Sequence, residues 1–196
     1  MRTQSHSSRR STGFTLVELL VVIAIIVVLV SLAVPAILGA LDNGKRVAAL
    51  NSATGLEHAI DAYYNLYGAL PVDSAAPFAT NSATGREMLA ILMAKEPAGG
   101  TLKNPRKIPF FTGKESKSKN DGVYFEAGVP EGLYDPWGKP FTVVLDSDYD
   151  QEMADPIPAG GGDGIIRNRN AAIYSLGKDP TAKVIPPKDL IRTWTK

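Results

Sequence analysis

"RRSTGFTLVELLVVIAIIVVLV", residues 9–30, decides the architecture of this chain. Every residue from Leu19 to Val30 is apolar, and after Ser31 the run continues from Leu32 to Leu38 around Pro35. Counted from Phe14, it makes ~37 Å of helix at ~1.5 Å per residue, enough to cross a hydrocarbon core of ~30 Å. Residues 1–13 are polar and basic, with Arg2, Arg9 and Arg10 and no acidic residue. Positive charge stays on the cytoplasmic side, so the N-terminus is expected inside and the rest of the chain outside. Glu18 stands out as a carboxylate among residues that belong in lipid. At the centre of a span a charged side chain costs roughly 2.5–3.5 kcal/mol, so Glu18 needs compensation.

Three readings of this segment compete. A cleaved secretory signal peptide carries an apolar region of ~7–15 residues and a small-residue cleavage site. Here the run is longer and contains Glu18. The twin-arginine variant, suggested by "SRRST", has Thr12 where a large apolar residue is wanted. A plain signal anchor explains the length but not Glu18. The third reading explains both. "GFTLVE", Gly13 to Glu18, resembles the processing site of type IV pilins and of the pseudopilins of type II secretion. The resemblance implies a membrane prepilin peptidase that cuts between Gly13 and Phe14 and then methylates the new terminal amine of Phe14. Glu18 becomes the fifth mature residue, the acidic position of the family, and Pro35 the twenty-second. In an assembled filament the partner of Glu18 would be the amine of Phe14 on a neighbouring subunit, which rewards one axial register. That would compensate a carboxylate that is costly when unpaired in low dielectric. In the bilayer Glu18 can also snorkel to the interface near the helix end.

Beyond the apolar run, Pro35 removes a backbone donor and is expected to kink the helix. Gly39 and Gly44 each weaken it by ~1 kcal/mol relative to Ala. A helical period then resumes: Ala53, Leu56, Ile60, Tyr63 and Tyr67 form one apolar stripe, expected to pack on a globular domain. Gly68 and Pro71 stop the helix. His58 is expected on its surface, and with His6 far away the two histidines form no catalytic or metal set.

"TGREMLAILMAKEP" reads as a short helix over about residues 84–95. Thr84 and Glu87 stand as a capping box, and Met88, Leu89, Ile91 and Leu92 as its apolar face. "KNPRKIPFF" is extended, and "GKESKSKNDG" is a charged soluble loop with no nucleic-acid pattern. Asp135-Pro136 and Gly138 make a tight turn. Strands follow at Phe141–Leu145 and from Ala171 toward Asp179. The pair "DPWGKPF" and "YSLGKD" resembles the two C-terminal strands of the major pseudopilin of type II secretion.

That resemblance implies a calcium loop after the second strand, with the carbonyl of Leu176 and the carboxylates of Asp179 and Asp189 as ligands. Calcium takes ~6–8 oxygens, and Lys178 and Lys188 interrupt a loop that should be more acidic. "DSDYDQEMAD" offers a second acidic loop through Asp146, Asp148, Asp150, Glu152 and Asp155. It is not an EF-hand, because Gln151 holds the glycine position and Ile157 the final glutamate position. A solvated acidic loop is the plain alternative.

Composition adds limits. The chain has 21 basic and 20 acidic residues, a net +1, and carries no polyanion-binding signal. With no cysteine there is no disulfide, thiolate zinc site or cysteine nucleophile. The sequence offers no nucleophile–base pair or metal set for an enzyme, and "GGGDG" lacks the Gly-Lys-Ser/Thr of a phosphate loop. The expected fold is α+β, with a long N-terminal transmembrane and filament helix packed on a small C-terminal antiparallel sheet from about residue 123. The expected organisation is a cleaved leader at 1–13, a filament-core half-helix at 14–38, an amphipathic half at 39–68 and a periplasmic domain at 69–196. The resemblance implies a homopolymer with minor pseudopilins, assembled by an inner-membrane platform protein and a secretion ATPase. The alternatives are a subunit of a type IV pilus fibre and a membrane-anchored binding module that never polymerises.

Overall fold

The computed structural model describes residues 15–157, 163–178 and 190–194. Helix α1 runs from Leu16 to Tyr67, through Pro35, Gly39 and Gly44. The chain forms two compact units, divided between Asp42 and Asn43. In the first unit all described residues, from Thr15 to Asp42, are exposed. Leu19 to Val30 presents leucine, isoleucine and valine on every side.

The second unit begins with the remainder of α1. Its apolar stripe is the inner one: Ala49, Ala53, Leu56 and Ile60 are wholly buried and Tyr63 nearly so, while His58 faces outward. Gly68, at a φ of +69°, lets the chain leave the helix, as the sequence suggests.

Among the described residues nine short strands follow: β1 (Phe78–Ala79), β2 (Glu115–Ser116), β3 (Gly122–Glu126), β4 (Val129–Tyr134), β5 (Thr142–Leu145), β6 (Glu152–Ala154), β7 (Ile165–Arg167), β8 (Ala171–Ser175) and β9 (Ile191–Arg192). They form three sheets. The largest is antiparallel, in the order β1-β5-β8-β9, with Val143 opposite Ile173 and Leu145 opposite Ala171. A second joins β2, β3 and β4, and its β2–β3 pair is parallel. A β6–β7 hairpin is the third. The α+β class is as expected, but the strands start earlier than residue 123 and do not make a single sheet.

Side chains on a strand alternate between faces. Val143, Leu145, Ala171 and Ile173 therefore join Leu56, Ile60 and Phe141 in the main core. Val144 and Ala172 point the other way and meet Met153, Ile166 and Trp194 in a second cluster. The central strands are covered on both faces, which explains their near-continuous apolar runs.

Helix α2 spans Ala83–Leu92, and Met88, Leu89, Ile91 and Leu92 are buried as anticipated. Its cap differs from expectation. Ser82, not Thr84, is the N-cap, and its hydroxyl accepts from the Gly85 amide at 3.1 Å. Glu87 instead pairs with Lys103 at 2.9 Å. Gly85 is required by close approach: a Cβ there would lie 2.2 Å from the carbonyl oxygen of Ala79.

Candidate functional site

The first candidate site is the start of α1. Thr15 is the N-cap position and Glu18 stands three residues on. The Thr15 hydroxyl accepts from the Glu18 amide at 3.2 Å. The Glu18 carboxylate in turn accepts from the Thr15 amide and hydroxyl, each at 2.8 Å. This is a capping box, two orphan donors satisfied reciprocally, and "TLVE" carries its Thr-x-x-Glu signature. Glu18 therefore has a local use within one subunit besides any role between subunits. Ser31, the other polar residue of the apolar run, donates its hydroxyl to the Val28 carbonyl at 2.7 Å, which hides it from lipid. Pro35 lies within α1. Gly13 and Phe14, the residues of the expected cleavage, lie outside the described residues.

A helix long and apolar enough to cross a membrane, and exposed along its apolar length, is the main physical fact of this unit. An exposed apolar surface of this extent has to be covered by lipid or by other protein.

The second candidate site is where "DPWG" meets "YSLG". Asp135 is wholly buried. Its Oδ1 accepts from the amides of Trp137 at 2.9 Å and Lys139 at 2.8 Å, closing the turn that Gly138 completes. Its other oxygen accepts from the Ser175 hydroxyl at the end of β8. Ser175 Oγ also accepts from the Gly177 amide at 3.1 Å. One carboxylate thus ties the turn before β5 to the exit of β8, and the aspartate and serine of the two motifs are chemically linked. Leu176 is half-buried at that exit. Asp179 and Asp189, the other expected calcium ligands, lie outside the described residues.

The third is the loop after β5. Asp146, Asp148 and Asp150 each place a carboxylate oxygen within 4.8 Å of the others. Glu152 and Asp155, the other acids of the loop, are not in this group: Glu152 pairs with Arg167, and Asp155 accepts from the Ile157 amide and the Trp194 indole. Asp148 and Asp150 are exposed and Asp146 is buried. Burial pushes the Asp146 carboxyl above its ordinary range, opposed by the Gln151 amide and reinforced by a side-chain hydrogen bond with the Asp148 carboxyl and by the charges of Asp150 and Asp148. Gln151, in the glycine position of the EF-hand pattern, takes a left-handed φ of +66°.

A further link was not visible in the sequence. Glu57 of α1 is buried and paired with Arg169, and Asp61 accepts from the Asn170 side chain at 2.8 Å. Two carboxylates one helical turn apart thereby fasten the β7–β8 connection to α1.

Residues 8–34 match the family model described as the prokaryotic N-terminal methylation motif. The fimbrial protein EcpC of Eikenella corrodens is 32% identical over 90 residues, 46% of this chain and 59% of that protein. The chain thus spans less than two thirds of EcpC. Type II secretion system core protein G of Aeromonas hydrophila is 30% identical over 136 residues, 69% of this chain and 74% of that protein. The core protein G of Pectobacterium carotovorum subsp. carotovorum is 44% identical over 58 residues, 30% and 37% of the two chains. No solved structure matches the chain.

Proposed function

The chain belongs to the family of type IV pilin-like pseudopilins that includes type II secretion system core protein G, and from that membership we propose that it is a structural subunit of a secretion pseudopilus, polymerising through its N-terminal helix. The observation that carries the reading is the pairing of a fully exposed apolar helix with a single carboxylate, Glu18, close behind a Gly-Phe junction.

Each part then has a mechanical role. Residues 1–13 are a leader removed by a prepilin peptidase between Gly13 and Phe14, with methylation of Phe14. Residues 14–38 hold the subunit in the inner membrane, N-terminus cytoplasmic, until it is drawn into the filament. Residues 39–68 join that core to a periplasmic domain at 69–196. On leaving the bilayer the apolar helices bundle with one another, which replaces lipid contact with protein contact at little net cost. Glu18 then finds the Phe14 amine of its neighbour and sets the register; Pro35 tunes the path of the helix. A cytoplasmic ATPase and a platform protein supply the work, minor pseudopilins join the filament, and its growth drives protein export across the outer membrane.

The family is one of structural pilins and pseudopilins, which supports a scaffold rather than an enzyme. A surface pilus fibre is the second reading, favoured by the similarity to the fimbrial protein. Shearing cells that carry the matching assembly machinery separates these outcomes. For a pseudopilus subunit no long fibres are sheared off at native expression, and its deletion stops secretion. Long fibres at native expression would favour the pilus. A chain that stays wholly in the membrane fraction at every expression level would contradict polymerisation.

A further inference from the structure

We propose that the loop formed by Asp146, Asp148 and Asp150 is a calcium site, distinct from the loop after β8. Two independent observations carry it. The first is the convergence of three carboxylates, with oxygens within 4.8 Å of one another. The second is an unpartnered oxygen. Asp146 is only 2% exposed, and its Oδ2 accepts from the Gln151 amide at 2.9 Å, but its buried Oδ1 meets no N–H or hydroxyl donor, and its carboxyl lies against that of Asp148, two acids with no donor between them. A buried carboxylate oxygen left without a donor is costly, and a cation is the partner that three carboxylates at this spacing would share.

The neighbouring positive charge is engaged elsewhere. Arg167 bonds to Glu152 at 3.0 Å and to Asp163 at 2.5 Å, not to the three aspartates. The donor set is oxygen alone, with no histidine or cysteine, and hard oxygen ligands select calcium or magnesium over zinc or copper. Calcium accepts irregular geometry and fills its shell with water, whereas magnesium demands a near-ideal octahedron.

The backbone suits this role. The Asp-x-Asp-x-Asp spacing needs a sharp turn after the third aspartate, where EF-hand loops use glycine. Gln151 makes that turn at a φ of +66°, and Tyr149 adopts +61° between the second and third aspartates. The final bidentate glutamate of an EF-hand is still missing, with Ile157 in its place. Affinity therefore belongs with the weak, extracellular class of calcium modules, at roughly 10⁻⁴–10⁻³ M.

The site would also couple to α1. Asp146 is anchored by its amide to the Asn170 carbonyl at 3.0 Å, beside β8. Tyr149, between the ligands, stacks on Tyr64 with centroids 6.0 Å apart, and its hydroxyl accepts from the Leu70 amide at 3.3 Å. Ordering the loop with a cation holds Tyr149 against the end of α1.

The test uses the full-length chain in detergent, stripped with a chelator and titrated with calcium chloride by calorimetry and thermal unfolding. Wild type is expected to bind calcium in the range above, and its melting temperature to rise by about 5 °C at about 10 mM calcium. Asp148→Asn and Asp150→Asn change exposed residues, so folding should survive. Each is expected to weaken binding at least about tenfold and to remove most of the thermal shift. Repeated in an Asp179→Asn background, which takes away an expected ligand of the loop after β8, the same losses in Asp148→Asn and Asp150→Asn are expected, which assigns them to this site. No wild-type heat and no shift at about 10 mM calcium, or binding unaltered in the Asp148 and Asp150 variants, would overturn the proposal.

Discussion

Glu18→Gln is expected to cut filament growth about a hundredfold while leaving the mature chain inserted and folded. In the proposed filament Glu18 meets the Phe14 amine of a neighbour away from water. Removing one partner of a buried ion pair costs about 3–5 kcal/mol, because the other charge is left uncompensated. Even about 3 kcal/mol lowers the equilibrium for adding a subunit roughly a hundredfold. Within one subunit Glu18 also closes the capping box with Thr15. Glutamine keeps that reach-back, since its amide oxygen accepts as the carboxylate does, whereas alanine loses it along with the charge. Gln and Ala variants should therefore be equally poor at assembly. The measurement is the ratio of sheared filament to membrane-bound chain. Wild-type filament yield from Glu18→Gln would reduce Glu18 to a helix cap.

Asn104→Ala has the largest expected effect on the globular unit. Asn104 is 1% exposed. Its side-chain amide donates to the Ile91 carbonyl at 2.9 Å and the Ile108 carbonyl at 2.8 Å. Its oxygen accepts from the Tyr67 hydroxyl at 2.9 Å and the Ile108 amide at 3.2 Å. One side chain thus joins the end of α1, the end of α2 and the segment that follows α2. Truncation leaves several polar groups unpaired in the interior, and each costs about 1–3 kcal/mol where no water replaces the bond. Allowing for relaxation at the half-exposed partners, a total of about 3 kcal/mol is expected. For a domain of this size that lowers the melting temperature by about 6–12 °C, read by circular dichroism on the full chain in detergent. A shift below about 2 °C would show that the segment after α2 is held by its apolar contacts alone.

Asn104 also marks where sequence reading ran short. "KNPRKIPFF" reads as extended because its prolines repeat, and nothing in it shows that one asparagine is buried. Besides Ile108, its partners Ile91 and Tyr67 lie 13 and 37 residues away. Glu57 was hidden in the same way. On a helix it looks like solvated charge, and only its pairing with Arg169, 112 residues on, makes it internal. Periodic features were legible: the Ala53-to-Tyr67 stripe, the apolar face of α2 and the β5 and β8 strands all rest on burial patterns that one element carries by itself. Strand β1 has two residues and no period to read. The cap of α2 is ambiguous in the sequence because Ser82 and Thr84 both offer a hydroxyl, and only the extended backbone at Ser82, with ψ at 169°, decides between them. At the candidate sites, "TLVE" carries two patterns at once, the acidic position of the processing motif and the Thr-x-x-Glu of a capping box. In the acidic loop, the missing glycine excluded an EF-hand by type, while Gln151 adopts the glycine-like conformation all the same.

The most direct test of the central claim is the intact mass of the chain, purified from membranes of cells that carry the matching prepilin peptidase, beside Gly13→Ala. A processed subunit lacks residues 1–13 and gains ~14 Da for one methyl group, and the Gly13→Ala chain keeps its leader. An uncut, unmethylated wild-type chain would contradict the account, leaving α1 as a membrane anchor and removing the free Phe14 amine on which Glu18-guided assembly depends.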